Sequence, residues 1–143
     1  MKSKIFFLAI ALCMSSTIIT AQDIRQDEVP SLILNNFKKK FPKAKDIEWE
    51  YKKNNYNVEF EIGLFSEFEA WYDKSGKLIK YSEEISERKL PKVIKKNIKK
   101  NYTTYKIDDI EKVTENKQVI YHIELEKGND EIDLKYLENG KLI

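Results

Sequence analysis

Few residues of this chain have the types and spacing needed for chemistry. Among 143 residues there is one histidine, His122, and one cysteine, Cys13. A nucleophile needs an adjacent base or a depressed pKa, and His122 is the only imidazole to serve one. No Gly-x-Ser-x-Gly element and no Gly-rich phosphate loop occurs. The residues therefore assemble no hydrolase constellation; no catalytic residue and no cofactor is expected. His122 as a metal ligand would need carboxylate help from Glu124, or from Glu59 and Glu61 on neighbouring strands, and a single-His site suits transition metals poorly. No metal site is assigned.

Carboxylates are denser. Glu48, Glu50, Glu59, Glu61, Glu67 and Glu69 recur at every second position of three short segments, which puts all six on one face if those segments are strands. Like charges directly opposed destabilise a sheet unless partnered. Calcium takes six to eight oxygen ligands, which leaves a Ca-type ion as one occupant, although no Asp/Asn/Gly loop accompanies the acids. Lysines and solvent are the simpler partners. Trp71 falls on the same wet face among glutamates, and Ile120 and His122 fall on the equivalent side further on. Aromatic residues so placed are enriched at binding hot spots. The competing expectation is that a loop such as Gly63 to Ser66, or the other half of the chain, covers Trp71. The partner-binding candidates are Trp71, Glu59, Glu61, Glu69, Ile120 and His122.

The elements that position these residues come twice. Val29, Ile33, Phe37 and Phe41 recur every four residues, as do Leu90, Ile94, Ile98 and Tyr102 sixty-one positions later. Each set predicts one helix with a single apolar face. Pro30 and Pro91 stand near the helix starts, where a missing N–H costs nothing, and Pro42 stops the first helix. Lys38 to Lys40, and Lys95, Lys96, Lys99 and Lys100, fall on the opposite faces and read as solvated surface.

Beyond each helix the period changes to two. Ile47, Trp49 and Tyr51, then Tyr56, Val58, Phe60 and Ile62, then Phe68, Ala70 and Tyr72 alternate with polar residues. Val119, Tyr121, Ile123 and Leu125, then Ile132, Leu134 and Tyr136, repeat the pattern, while Ile110 and Val113 mark a less regular strand with a bulge. Such alternation predicts antiparallel strands with one dry and one wet face. Asn54-Asn55 and Asn139-Gly140 supply turns. The four glycines fall in matched pairs, 63 with 128 and 76 with 140, and Tyr72-Asp-Lys-Ser-Gly-Lys-Leu-Ile79 returns as Tyr136-Leu-Glu-Asn-Gly-Lys-Leu-Ile143.

The expected fold is α+β: two tandem helix-plus-antiparallel-meander repeats, 29–81 and 90–143, each ending in a fourth short strand. Ser82 to Lys89 connects them. Both helices pack on one face of an antiparallel sheet and leave the other face open. One repeat of this size is marginal alone, so a single shared interior is expected, with the two sheets joined edge to edge to hide their edges.

Residues 1–21 read as a signal peptide: Lys2 and Lys4, an apolar run from Ile5 to Met14, and a polar region ending at Ala21. The run is too short to span a bilayer. Cys13 offers a lipoprotein alternative, with Leu12 a poor residue before a lipidated cysteine. Without that segment, which holds Lys2, Lys4 and no acid, the 26 basic residues fall to 24 against 24 acidic. Neutral balance excludes the basic excess of a nucleic-acid binder. The mature chain, 22–143, then has no cysteine, no membrane span, and a periplasmic or extracellular destination.

The tandem plan, with Val29-Pro30, Phe41-Pro42-Lys43-Ala44, Tyr56 to Phe60 and Tyr72 to Leu78, resembles the PepSY-like, β-lactamase-inhibitor-like family of secreted bacterial proteins. Leu90-Pro91, Tyr121 to Leu125 and Tyr136 to Leu142 carry the resemblance in the second repeat, where Tyr102-Thr-Thr-Tyr105 replaces the Phe-Pro-x-Ala element. The resemblance implies two helices on one sheet face, and a free concave face that in the namesake inhibitors grips an enzyme. The function expected is a non-enzymatic binding protein that engages a protein or peptide of the cell envelope through that face. The alternative is a small-ligand or Ca-type ion module; a regulatory module restraining an envelope peptidase follows from the resemblance alone.

Overall fold

The computed structural model describes residues 22–64 and 66–143; the expected signal peptide lies outside them. Eight strands form one sheet in chain order, every neighbour antiparallel: β1 (Gln22–Ile24), β2 (Lys45–Lys52), β3 (Asn55–Ile62), β4 (Ser66–Tyr72), β5 (Leu78–Glu84), β6 (Lys106–Glu115), β7 (Gln118–Lys127) and β8 (Asp130–Leu137). Helices α1 (Ser31–Lys40) and α2 (Lys92–Asn101) follow β1 and β5, each after a short 3-10 turn. The two halves join edge to edge as expected, through the β5–β6 register from Lys80 opposite Glu115 to Glu84 opposite Glu111.

Pro30 and Pro91 are the N-cap residues, and their carbonyls accept the first helical bonds, from Ile33 at 2.9 Å and from Lys95 at 3.1 Å. Lysines fill both last turns, where a cation complements the helix dipole. Strand β1 was not legible as such. Its Ile24 lies opposite Trp49 of β2, and sixty-one residues later the Ile85 N–H donates to the Ile110 carbonyl at 2.9 Å. β5 therefore closes the first meander and also plays for α2 the part that β1 plays for α1. It runs on through Ser82–Glu84, residues that the periodicity assigns to a connector. The fourth strand expected at the end of the second repeat is reduced to one bridge, Tyr136 with Leu142.

A single shared interior is the expectation that the structure corrects. Two hydrophobic clusters lie side by side on the helix face of one sheet. Under α1 the packing is aromatic: the Phe37 ring centroid lies 5.3 Å from Trp49 and 5.0 Å from Phe60, and Phe41 lies 4.7 Å from Phe60. Under α2 it is aliphatic, built on Ile94, Ile98, Ile110, Ile123 and Leu125. The register explains the break. On the helix face at the seam, Tyr81 lies opposite Thr114 and Glu83 opposite Lys112, so polar side chains interrupt the apolar layer.

Both glycine turns are locked to the helices. Asn36 Nδ2 donates to the Gly76 carbonyl at 2.8 Å, and Asn97 Nδ2 donates to the Gly140 carbonyl at 2.9 Å. A Cβ on Gly140, at φ +83°, would stand 2.7 Å from Val93 Cγ2; on Gly76 it would meet Leu32 Cγ at 2.9 Å. The Tyr-x-x-x-Gly-Lys-Leu stretches thus end each repeat by docking on its helix. The first hairpin turns one residue earlier than Asn54-Asn55: Lys53 and Asn54 hold φ +51° and +65°, matched by Asn116 and Lys117 at +50° and +65°. Two consecutive positive φ values are the signature of a type I′ hairpin.

Candidate functional site

Among the described residues no helix covers the second face of the sheet, and cross-strand register sets its residues in rows. One row runs Glu50, Asn57, Trp71, Lys80, Glu115, Gln118 from β2 to β7. The next runs Glu48, Glu59, Glu69, Ser82, Val113, Ile120 and, on β8, Leu137. In a third, Glu61 opposes Glu67, and Glu84, Glu111, His122 and Lys135 follow on β5 to β8. The six first-repeat glutamates do share a face, as their alternation predicts. So do Ile120 and His122, although three strand spacings of about 4.8 Å separate His122 from Trp71, so they are two ends of one surface.

A cleft of about 480 Å³ opens along the acidic part of this face. Nine of its twelve lining residues are Asp or Glu and none is cationic, so nothing in its wall neutralises it. Partial burial, then the charges of Glu69, Glu50 and Glu48, raise the Glu59 pKa above the usual carboxylate value, against the weaker pull of Lys52. Glu84 is raised by partial burial and by Asp109 and Glu67. Among the described residues, no three His, Cys, Asp or Glu side chains converge closely enough to hold a metal ion.

Trp71 is half-buried rather than protruding. Ile62 opposes Ser66 at one end of the β3–β4 pair, and Trp71 opposes Asn57 towards the other. What flanks the indole are lysines: Lys80 Nζ lies 5.0 Å and Lys52 Nζ 5.8 Å from its ring centroid. These cation–π contacts lay the aliphatic stems along the ring. The indole Nε1 is buried without an acceptor. Asn57, fully buried, donates from Nδ2 to Glu69 Oε1 at 2.8 Å, and its Oδ1 has no donor.

His122 Nδ1 lies 3.5 Å from Glu111 Oε2, and partial burial together with Lys135 lowers its pKa below 6.5 although Glu111 raises it. Its imidazole is neutral at physiological pH. Ser86 and Lys89 do have the Ser-x-x-Lys spacing of some acyl-transfer enzymes. However, Lys89 Nζ is bonded to Glu83 Oε1 at 2.7 Å.

Sequence reasoning missed three residues of this face. Val113 belongs to neither cluster under the helices; the register runs unbroken from Ile110, so Val113, three residues on, falls on the open face, where it is buried between Ser82 and Ile120. Ser82 was read as connector. Asn57 could have been noticed, since it is the uncharged residue that precedes Glu59 and Glu61 at alternate positions.

A sequence profile of the family described as "Putative beta-lactamase-inhibitor-like, PepSY-like" matches twice, at 17–80 and at 60–143. The chain belongs to this family. The two matched segments overlap over 60–80, which ends within β5, the strand shared between the repeats. Several solved structures share the fold. A DUF2874 family protein from Bacteroides uniformis superposes with a TM-score of 0.74 at 17% identity, over 80% of this chain and 86% of its own. A BLIP-like protein from Bacteroides fragilis gives 0.71 at 22% identity, over 80% and 82%. One from Bacteroides eggerthii, described as "putative periplasmic", gives 0.74 at 16%, over 80% and 86%. No curated protein matches this chain. Among the described residues, no helix is long and apolar enough to cross a membrane.

Proposed function

We propose that this PepSY-like chain is a non-enzymatic binding protein of the cell envelope, and that it grips a protein or peptide on its open sheet face. The observation that carries the reading is the face itself: eight continuous strands with both helices on one side and a carboxylate-lined cleft on the other. Trp71, Glu59, Glu61 and Glu69 form the contact region at one end of this face, and Ile120 and His122 extend it. The inhibitor-like description of the family and the BLIP-like neighbour support a partner that is itself a protein. Export to the periplasm or beyond fits residues 1–21 and the "putative periplasmic" neighbour.

A photo-crosslinking residue placed at position 71, and separately at the exposed Lys96 on α2, tests the reading in envelope extracts. Adducts from position 71 that vanish on adding excess unlabelled protein are expected, with none from position 96. Adducts from position 96 alone would move the binding surface to the helices. Trp71→Ala in the unlabelled competitor is expected to weaken competition by about 30-fold, the effect of losing a hot-spot aromatic.

A further inference from the structure

The chemistry of the occupant follows from how charge divides between the two sides of the sheet. The mature chain balances 24 cations against 24 anions, yet the lysines crowd the helices and turns while the cleft wall has nine carboxylates and no cation. Glu48, Glu59 and Glu69 stand directly opposite one another on three adjacent strands. Like charges so opposed destabilise a sheet unless something partners them. A second observation comes from Asn57, fully buried on the same face. Its Nδ2 donates to Glu69, which lines the cleft, and its buried Oδ1 is an acceptor that lacks a donor among the described residues. An ammonium or guanidinium supplies donors and no acceptor, which suits both the carboxylates and that oxygen. The rim already shows the preference, since Trp71 holds two of the chain's own lysines.

Extent and composition narrow the cation further. From Glu48 on β2 to Glu111 on β6 the acids span four strand spacings, about 19 Å, and among the described residues no three converge on one point. Several linked cations fit this layout better than one ion. The middle row then changes character, passing from Glu48, Glu59 and Glu69 through Ser82 to Val113, Ile120 and Leu137. We infer that the open face receives a polypeptide segment that is Lys/Arg-rich at one end and apolar at the other, its cations over Glu59, Glu67 and Glu69 and its apolar side chains against the half-buried Ile120 and Leu137. This rests on the open-face reading and names the partner chemistry for it.

The test uses mature protein and synthetic peptides of about twelve residues, long enough to cross the cleft. One is arginine-rich then leucine-rich; the others are its neutral and glutamate counterparts, with spermine as a small polycation. Binding is followed by calorimetry, and the contacted face by hydrogen-exchange protection. The basic–apolar peptide is expected to bind at least about tenfold more tightly than the neutral one, with most of the gain lost in about 0.5 M salt. The triple variant Glu59→Gln, Glu67→Gln, Glu69→Gln should lose that gain. Glu28→Gln, Glu87→Gln, Glu138→Gln, equal in net charge but outside the cleft, should keep it. Equal losses in both variants, equal binding of the neutral peptide, or spermine matching the peptide would overturn the inference and leave the open-face reading standing. Protection confined to α1 and α2 would overturn both.

Discussion

Glu59→Gln should make this protein more stable at neutral pH. Glu59 lies opposite Glu48 on one side and Glu69 on the other, and its pKa is raised by partial burial and by those charges. A raised carboxylate pKa means that the folded state binds the proton more tightly than the unfolded chain does. The stability it contributes is complete below the unfolded value near 4.5 and is lost as pH climbs through the folded pKa. At pH 7 the ionised Glu59 therefore works against folding. Two opposed pairs would give up to about 2 kcal/mol, but the side chain is exposed and its interactions are screened. About 0.5–1 kcal/mol is the reasonable gain, or about 2–4 °C in Tm for a chain of this length.

The assay is thermal and urea unfolding of the mature protein and variant near pH 7.5 and near pH 4, in low and high salt. The expected pattern is a gain at pH 7.5 that shrinks in salt and disappears at pH 4, where both chains are neutral at position 59. A loss at pH 7.5, or a gain of the same size at every pH and salt, would refute the reasoning. If the stabilised variant also binds the basic–apolar peptide more weakly, the acidic rows trade stability for function.

Other expectations concern the turns and the single imidazole. Gly140→Ala is expected to cost about 2–4 kcal/mol, from positive φ and overpacking together, because its Cβ meets Val93 at 2.7 Å. Gly63→Ala, at φ +82° in open space, should cost only the backbone share, about 1–2 kcal/mol, and equal losses in urea unfolding would discredit the contact. Asn36→Ala and Asn97→Ala each remove a bond to a turn carbonyl, at about 1 kcal/mol. Their effects should add in the double variant, since the sites lie in separate clusters. His122, with its pKa below 6.5, contributes stability that is lost as pH falls through the folded value. In an NMR titration Glu111→Gln should lower that pKa further and Lys135→Met should raise it; no response to either would place these charges elsewhere.

The helix positions, the dry face of the strands and the acidic wet face were all legible because each rests on a period of four or two. Val29, Ile33, Phe37 and Phe41 announce a helix whatever surrounds it, and Glu59, Glu61, Glu67 and Glu69 announce one face of two strands. What stayed hidden depends on register between segments distant in sequence. The bulge expected near Ile110 and Val113 lies instead between Ile107 and Asp109, where it brings Ile107 and Ile110 to one face and leaves Val113 on the other, and no count of alternate residues shows where an extra residue is absorbed. Asn36 and Asn97 read as ordinary polar helix residues until the glycine carbonyls are seen beneath them. β1 is three residues long and carries no period at all.

Sharing β5 between the repeats accounts for both the split core and the undivided open face. On the helix side each cluster needs its own helix, and the seam between α1 and α2 is filled by Thr114, Lys112 and Glu83 instead of apolar residues. On the other side no helix has to fit, so the rows cross the seam uninterrupted, from Glu48 of the first repeat to Leu137 of the second. Duplication with a shared strand thus doubles the width of the bare face without doubling the number of sheet edges, which are a hazard when left unpaired. The second repeat also departs from the first where it matters for recognition. It places Val113 and Ile120 in the row where the first places Glu59 and Glu69, so this one row passes from acidic to apolar, while the rows on either side of it stay polar across both repeats.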